Sequence, residues 1–215
     1  MLTDIREEPI EEITPDGIRT AKREYPVDAI VYATGFNAMT GSLFRLNIRG
    51  RGGILLQEKW VDGPHTYLGI ATVDFPDMFM ITGPGSPSVL SNMPVSIEQH
   101  VEWIADCLGY MQSRGLNRIE PVRDAEETWD AHVAETAAAT LFPRADSWYM
   151  GANIPGKPRV FFPYAGGVGP YRQRCAEIAA NSYEGFVLSR HREPMAADQL
   201  VPNVMAQGAV GTLGK

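Results

Sequence analysis

The stretch GPGSPSVLSNMP, residues 83–94, combines two glycines and three prolines with no charged side chain. An apolar run (Met78, Phe79, Met80, Ile81) leads into it, and helical periodicity follows. Glycines at such a place let another backbone or a flat ring approach closely. Ser88, Ser91 and Asn92 have side chains suited to capping a helix. A helix N-terminus behind the loop would offer N–H groups and a positive dipole to an anionic or carbonyl-bearing ligand, with no side-chain charge needed. The plainer alternative is a stiff strand–helix connection. Serine hydrolase chemistry is not supported: there is no G-x-S-x-G elbow, and no histidine has a recognisable partner acid.

Three further stretches are candidates. ATGF (Ala33 to Phe36) places Gly35 at the end of an apolar run, where a tight turn accounts for it without a ligand. DSWYMGANIPGKPR, residues 146–159, sets Trp148 and Tyr149 beside Gly151, Asn153 and Lys157 in a segment of no clear period. Its aromatic side chains can stack on a ligand or staple the loop to the core. Lys157 and Arg159 either reach a phosphate or stand solvated. GGVGPYRQR carries Gly166, Gly167 and Gly169 ahead of a helix, but without GxGxxG spacing or a Walker pattern, so packing or a turn explains them better. Glu98 to His100, Glu126, Glu127 and Asp130 fall on helices and read mostly as solvated faces.

These residues need elements to hold them. Thr14, Pro15, Asp16 and Gly17 form a turn between short extended stretches. The run Ala29 to Ala33 suits a central strand buried on both faces of a parallel sheet. Residues 41–65 read as irregular with a hairpin, and apolar strands are expected over 67–71 and 78–82. From Pro94 a helix is expected, with Ile97, Val101, Ile104, Ala105, Leu108 and Met111 on its apolar face and Gly115 as its stop. Met93, before the proline, is pushed out of the α region. A second helix starts at Asp124, with Glu127 completing a capping box, and runs to about Leu141. VFFPYAGG reads as a strand, Pro170 to Ala180 as a third helix, and YEGFVLS closes the ordered part, leaving 190–215 as a mobile tail. This order of elements is of α/β class.

The chain has 215 residues, 44% hydrophobic and 21% charged, with a net charge of -7. That charge argues against a nucleic-acid or anionic-membrane partner, and no apolar run is long enough for a bilayer. The acidic start MLTDIREEPIEE lacks the apolar stretch of a signal peptide. Two cysteines, Cys107 and Cys175, suit free buried thiols in a reducing cytoplasm. With four histidines and no CxxC or HxxxH pair, no metal site is expected.

Taken together, DAIVYATGF, IRGRGG, EKWVDGPHTYLG, FPDMFMITGPGSPSVLSNMPVSIEQHVEWI, DSWYMGANIPGKPR and YEGFVLS resemble the flavin-dependent Baeyer–Villiger monooxygenase family, which includes the phenylacetone and cyclohexanone monooxygenases. The resemblance implies FAD and NADPH as cofactors, hydride reduction of the flavin, and a C4a-peroxyflavin that attacks a hydrophobic ketone to give an ester or lactone. By the same resemblance Met93 contacts FAD, with Gly35 and Asn92 also on the cofactor side. Ser88, Val89, Leu90 and Met93 line the substrate pocket, and Trp148 contacts NADP.

The opening GxGxxG, a second dinucleotide fingerprint, the F-x-G-x-x-x-H-x-x-x-W signature and the peroxyflavin-stabilising arginine are not in this sequence. The implied fold is therefore a partial two-dinucleotide-binding, Rossmann-like α/β fold without its N-terminal βαβ unit. Residues 1–34 would end the NADP domain, residues 35–189 would form the second half of the FAD domain, and a separate N-terminal half is a candidate partner. This chain alone is expected to be inactive. Alternatives are a non-catalytic remnant or interaction module that binds no cofactor, and a flavin monooxygenase oxidising nitrogen or sulfur.

Overall fold

A computed structural model describes residues 2–190, so the expected tail lies, beyond Arg190, outside the described residues. The chain forms two compact units, Met1–Phe36 and Asn37–Lys215.

In the first unit the Pro15–Asp16 turn closes a hairpin between β1 (Ile10–Thr14) and β2 (Gly17–Thr20), and β3 (Glu24–Pro26) adds to β2, all antiparallel. A side chain at Gly17 would collide with the Tyr25 carbonyl, which is why the turn ends on glycine. Residues 29–33 correct an expectation. They form no sheet ladder among the described residues, and Val31 and Tyr32 stand 86% and 69% exposed. A strand apolar on both faces needs neighbours on each side, and β1–β3 do not supply them.

The second unit begins with two short helices, α1 (Gly41–Arg45) and α2 (Leu56–Lys59), and a single bridge, Arg49 to Leu55, stands where a hairpin was expected. Leu56, Trp60, Phe75 and Met80 form a small core there. The larger core lies among α3 (Met93–Ser113), α4 (Arg123–Ala138), α5 (Val168–Ala180) and an antiparallel pair, β4 (Arg118–Pro121) with β5 (Phe186–Ser189). The class is mixed α/β, but both sheets are antiparallel; no parallel pair occurs among the described residues.

Two expected strands are not strands: 67–71 is a buried turn and 78–82 is irregular. In residues 67–71, Leu68 and Gly69 take left-handed φ of 61° and 68°, and the Tyr67 and Ala71 backbones bond to each other. Residues 78–82 form no strand; the Met80 N–H donates to the Ile70 carbonyl at 2.7 Å. A short apolar run reports burial and leaves the backbone conformation open. VFFPYAGG likewise runs without strand pairing.

Helix α3 buries Ser96, Gln99, His100, Trp103, Cys107 and Met111. Of the expected apolar face, Met111 is buried and Ile104 packs against the core, whereas Ile97, Val101 and Leu108 are exposed. Met93 is itself the first helical residue, and Gly115 (φ 62°) follows the helix end as expected. Helix α4 begins at Arg123 and ends at Ala138, with Val122 at its N-cap and no side-chain cap bond. The anticipated capping box is absent.

Candidate functional site

Loop 83–92 is gripped from beneath by its own chain. A Cβ at Gly83 would stand 2.5 Å from the Gly69 carbonyl oxygen, and one at Gly85 (φ 84°) would stand 2.6 Å from Thr66 Oγ1. The glycines therefore admit neighbouring polypeptide, which decides between the two uses open to them. Thr66 Oγ1 donates to the Pro84 carbonyl (2.8 Å), and Trp129 Nε1 donates to the Gly85 carbonyl (3.0 Å). The Gly85 N–H donates to Phe162 O and the Tyr164 N–H to Ser86 O, both at 2.7 Å. Residues 83–88 are consequently buried.

The loop surfaces only after that. Val89, Leu90 and Met93 are half-buried and belong to neither core, and Asn92 is exposed. Ser88 is 1% exposed with φ 42°, its Oγ directed at Met39 Sδ (3.8 Å). Ser91 Oγ donates to the Ser88 carbonyl and lies 2.6 Å from Ser96 Oγ. Asn92 occupies the α3 N-cap position without a side-chain cap bond.

A second strap runs from 146 to 164. Trp148 stacks on Tyr149 at 4.1 Å, whose N–H donates to Ser147 Oγ. Gly151 takes φ 71°, and a Cβ there would meet the Pro158 carbonyl. Lys157 is held: its Nζ donates to Asn37 Oδ1 (2.7 Å) and the Ala38 carbonyl (2.9 Å), over the Phe162 ring. Burial lowers the pKa of this ammonium. Segment 37–40 thereby joins both parts, since Met39 meets Ser88 while Asn37 and Ala38 meet Lys157. Arg159 pairs with Asp146. Trp148 packs within its own strap, and Gly35 (φ 79°) belongs to the N-terminal unit, with open space where a Cβ would stand. Gly167 caps α5 and Gly166 packs against Tyr164, so these two glycines serve the turn into the helix, while Gly169 lies within α5.

Sequence reasoning missed the polar seam on α4. Glu126 is 2% exposed; its Oε1 accepts from Thr72 Oγ1 (2.9 Å) and the Val73 N–H (2.8 Å), and its Oε2 accepts from Lys59 Nζ (2.8 Å). One turn on, Asp130 bonds His65 Nδ1 through Oδ2 (2.8 Å) and the Thr66 N–H through Oδ1 (3.2 Å). These residues are not a solvated face, and His65 does have a partner acid. The Asp130 hydrogen bond raises the His65 pKa. Burial raises Asp130 too, outweighing the pull of His65 and the Thr66 N–H. The i, i+4 spacing of the two acids was the available signal. His65 and Asp130 edge a cavity of about 520 Å³ lined by Val133, Ala134, Ala137, Met150 and Phe162.

Among the described residues no cluster could hold a metal ion, and no helix is long and apolar enough to cross a membrane.

No protein-family model matches the chain. It is 42% identical over 193 residues to a Baeyer–Villiger monooxygenase of Pseudooceanicola batsensis, covering 89% of this chain and 35% of that protein. It is 46% identical over 195 residues to the phenazine N-monooxygenase PhzNO1 of Lysobacter antibioticus, covering 90% and 35%. Among solved structures, a closed cyclohexanone monooxygenase superposes with a TM-score of 0.83 at 43% identity, covering 88% of this chain and 35% of that one. An oxidised steroid monooxygenase bound to NADP gives 0.81 at 46%, covering 89% and 36%.

Proposed function

We propose, from the premise that this chain is homologous to the Baeyer–Villiger monooxygenase family over about a third of its members' length, that it is one portion of an FAD- and NADPH-dependent monooxygenase. The reaction would insert one oxygen atom from O2 into a hydrophobic ketone. In this reading residues 1–34 end the NADP domain and residues 35–189 form the second half of the FAD domain of a two-dinucleotide fold.

The observation that carries the proposal is the loop itself: rigid from 83 to 88, it presents Val89, Leu90 and Met93 half-buried and outside both cores. An uncharged, fixed wall of this kind suits a flat ring and an apolar substrate. Met93 and Asn92 would lie against the flavin ring, Ser88, Val89, Leu90 and Met93 would bound the ketone pocket, and Trp148 would meet NADP. The flavin, when bound, supplies the electron-carrying and oxygen-activating chemistry. This chain's residues orient and shield. They fit the ring better than the pyrophosphate, because Gly166 and Gly167 are engaged by Tyr164 and the α5 cap.

The exposed row Ile97, Val101 and Leu108 on α3 supports the same reading. It is where the remaining two-thirds of such an enzyme would pack. The identity to a phenazine N-monooxygenase favours a second reading, oxidation of an aromatic nitrogen by the same assembly.

The test is to purify the chain alone and together with a polypeptide spanning the rest of a cyclohexanone-oxidising relative. The chain alone should show neither flavin absorbance nor NADPH oxidation. The mixture should turn yellow and oxidise NADPH when cyclohexanone is added, or a phenazine on the second reading. A ketone-oxidising chain without its partner contradicts the proposal. Two folded partners that never bind flavin favour a non-catalytic module.

A further inference from the structure

We infer that His100 is a positioning residue that fixes the start of loop 83–92 through a single imidazole tautomer. The inference rests on the reading that this loop walls the reaction site. His100 is fully buried on the inner face of α3. The Thr82 N–H points at its Nδ1 at 2.9 Å. A backbone N–H only donates, so Nδ1 must be the bare nitrogen and the ring proton sits on Nε2. Nε2 lies 2.7 Å from Tyr171 Oη, which lies 2.6 Å from the Leu68 carbonyl oxygen. That carbonyl only accepts, so the phenol proton goes to Leu68, and the phenol oxygen receives the proton of Nε2–H.

Every hydrogen in the relay therefore has one place. The relay links Thr82, α3, α5 and the 67–71 turn in a single line. Thr82 is the residue that needs such an anchor: its φ of 53° is uncommon for a side chain branched at Cβ. Gly83 follows directly, and with it the buried base of the loop. A residue that only filled space at position 100 would not require a fixed tautomer, nor a bond to the one strained residue at the loop's start.

The tautomer is read on the unaltered chain by nitrogen NMR of its imidazoles. A neutral Nε2–H form for His100 is expected at neutral pH; an Nδ1–H form or an imidazolium overturns the inference. Hydrogen exchange then tests the positioning. His100→Leu should speed exchange across 82–92 by roughly tenfold, the equivalent of about 1.4 kcal/mol, while amides of α5 and β4–β5 keep their protection. His100→Asn, whose side-chain oxygen can accept from the Thr82 N–H, should restore much of the protection. A uniform rise over the whole unit, with no rescue by asparagine, assigns His100 to packing alone and overturns the inference. In the mixed enzyme, His100→Asn should retain more kcat than His100→Leu. Should the mixture lack activity while the exchange pattern holds, the functional reading fails and the positioning stands.

Discussion

On one side of α3 the helix buries Ser96, Gln99, His100, Trp103, Cys107 and Met111, of which half are polar; on the other it leaves Ile97, Val101 and Leu108 39%, 46% and 50% exposed. The buried polar groups are tolerated because they are bonded. His100 has Thr82 and Tyr171, and Trp103 Nε1 donates to the Cys175 carbonyl at 2.9 Å. The exposed apolar groups have no such internal account. Residues of that type at helical spacing suit the packing of a neighbour, which the proposed remainder of a flavin monooxygenase would supply. The contrast separates what holds this unit together from what it offers outward.

The largest effects should come from the bonded interior. Glu126→Gln strips the buried Lys59 of its counter-charge and should cost about 3–5 kcal/mol, read as a fall in the urea midpoint. Trp103→Ala, on the inner face of α3, should cost a similar amount, about 3–5 kcal/mol.

Acid comes next. Burial lowers His100 from 6.5 to about 4. The unfolded chain takes up this proton as pH falls through 6.5 and the native chain only near 4, so stability is present above 6.5 and lost on the way down. The loss should approach about 3 kcal/mol, and His100→Asn should flatten that slope. His65, raised by Asp130, works in the opposite sense: it stabilises below its unfolded value and loses that contribution as pH rises through its folded one.

Gly85→Ala, forced to φ 84° against Thr66, should cost about 1–3 kcal/mol. The smallest effect is the most informative. Val101→Asp should change the isolated chain's stability by less than about 0.5 kcal/mol, yet weaken the association proposed with the remainder of a flavin monooxygenase.

Where local chemistry decides conformation, the sequence was legible. The Pro15–Asp16 hairpin, α3 with its Gly115 stop, α5 and the free buried cysteines follow from turn residues, period and composition. Burial without conformation was not enough. Tyr67 to Ala71 is as apolar as a strand, but two left-handed residues turn it back on itself. The run Ala29 to Ala33 and the outer face of α3 are apolar in pattern yet exposed among the described residues, so their apolar spacing did not translate into burial. At the site, the stiff loop stood out in sequence. Its support did not, because Glu126, Asp130, His65 and His100 find their bonds across long sequence separations.

The proposed interface on the apolar face of α3 can be read from one added thiol. Burial raises Cys107 to about 12 and Cys175 to about 11, so neither should react with iodoacetamide at neutral pH in the folded chain. Val101→Cys then supplies the reactive position. Its alkylation should be fast in the isolated chain and slow by about tenfold or more once the remaining two-thirds of a flavin monooxygenase is added. Alkylation at an unchanged rate, with both polypeptides folded and mixed, would contradict the account.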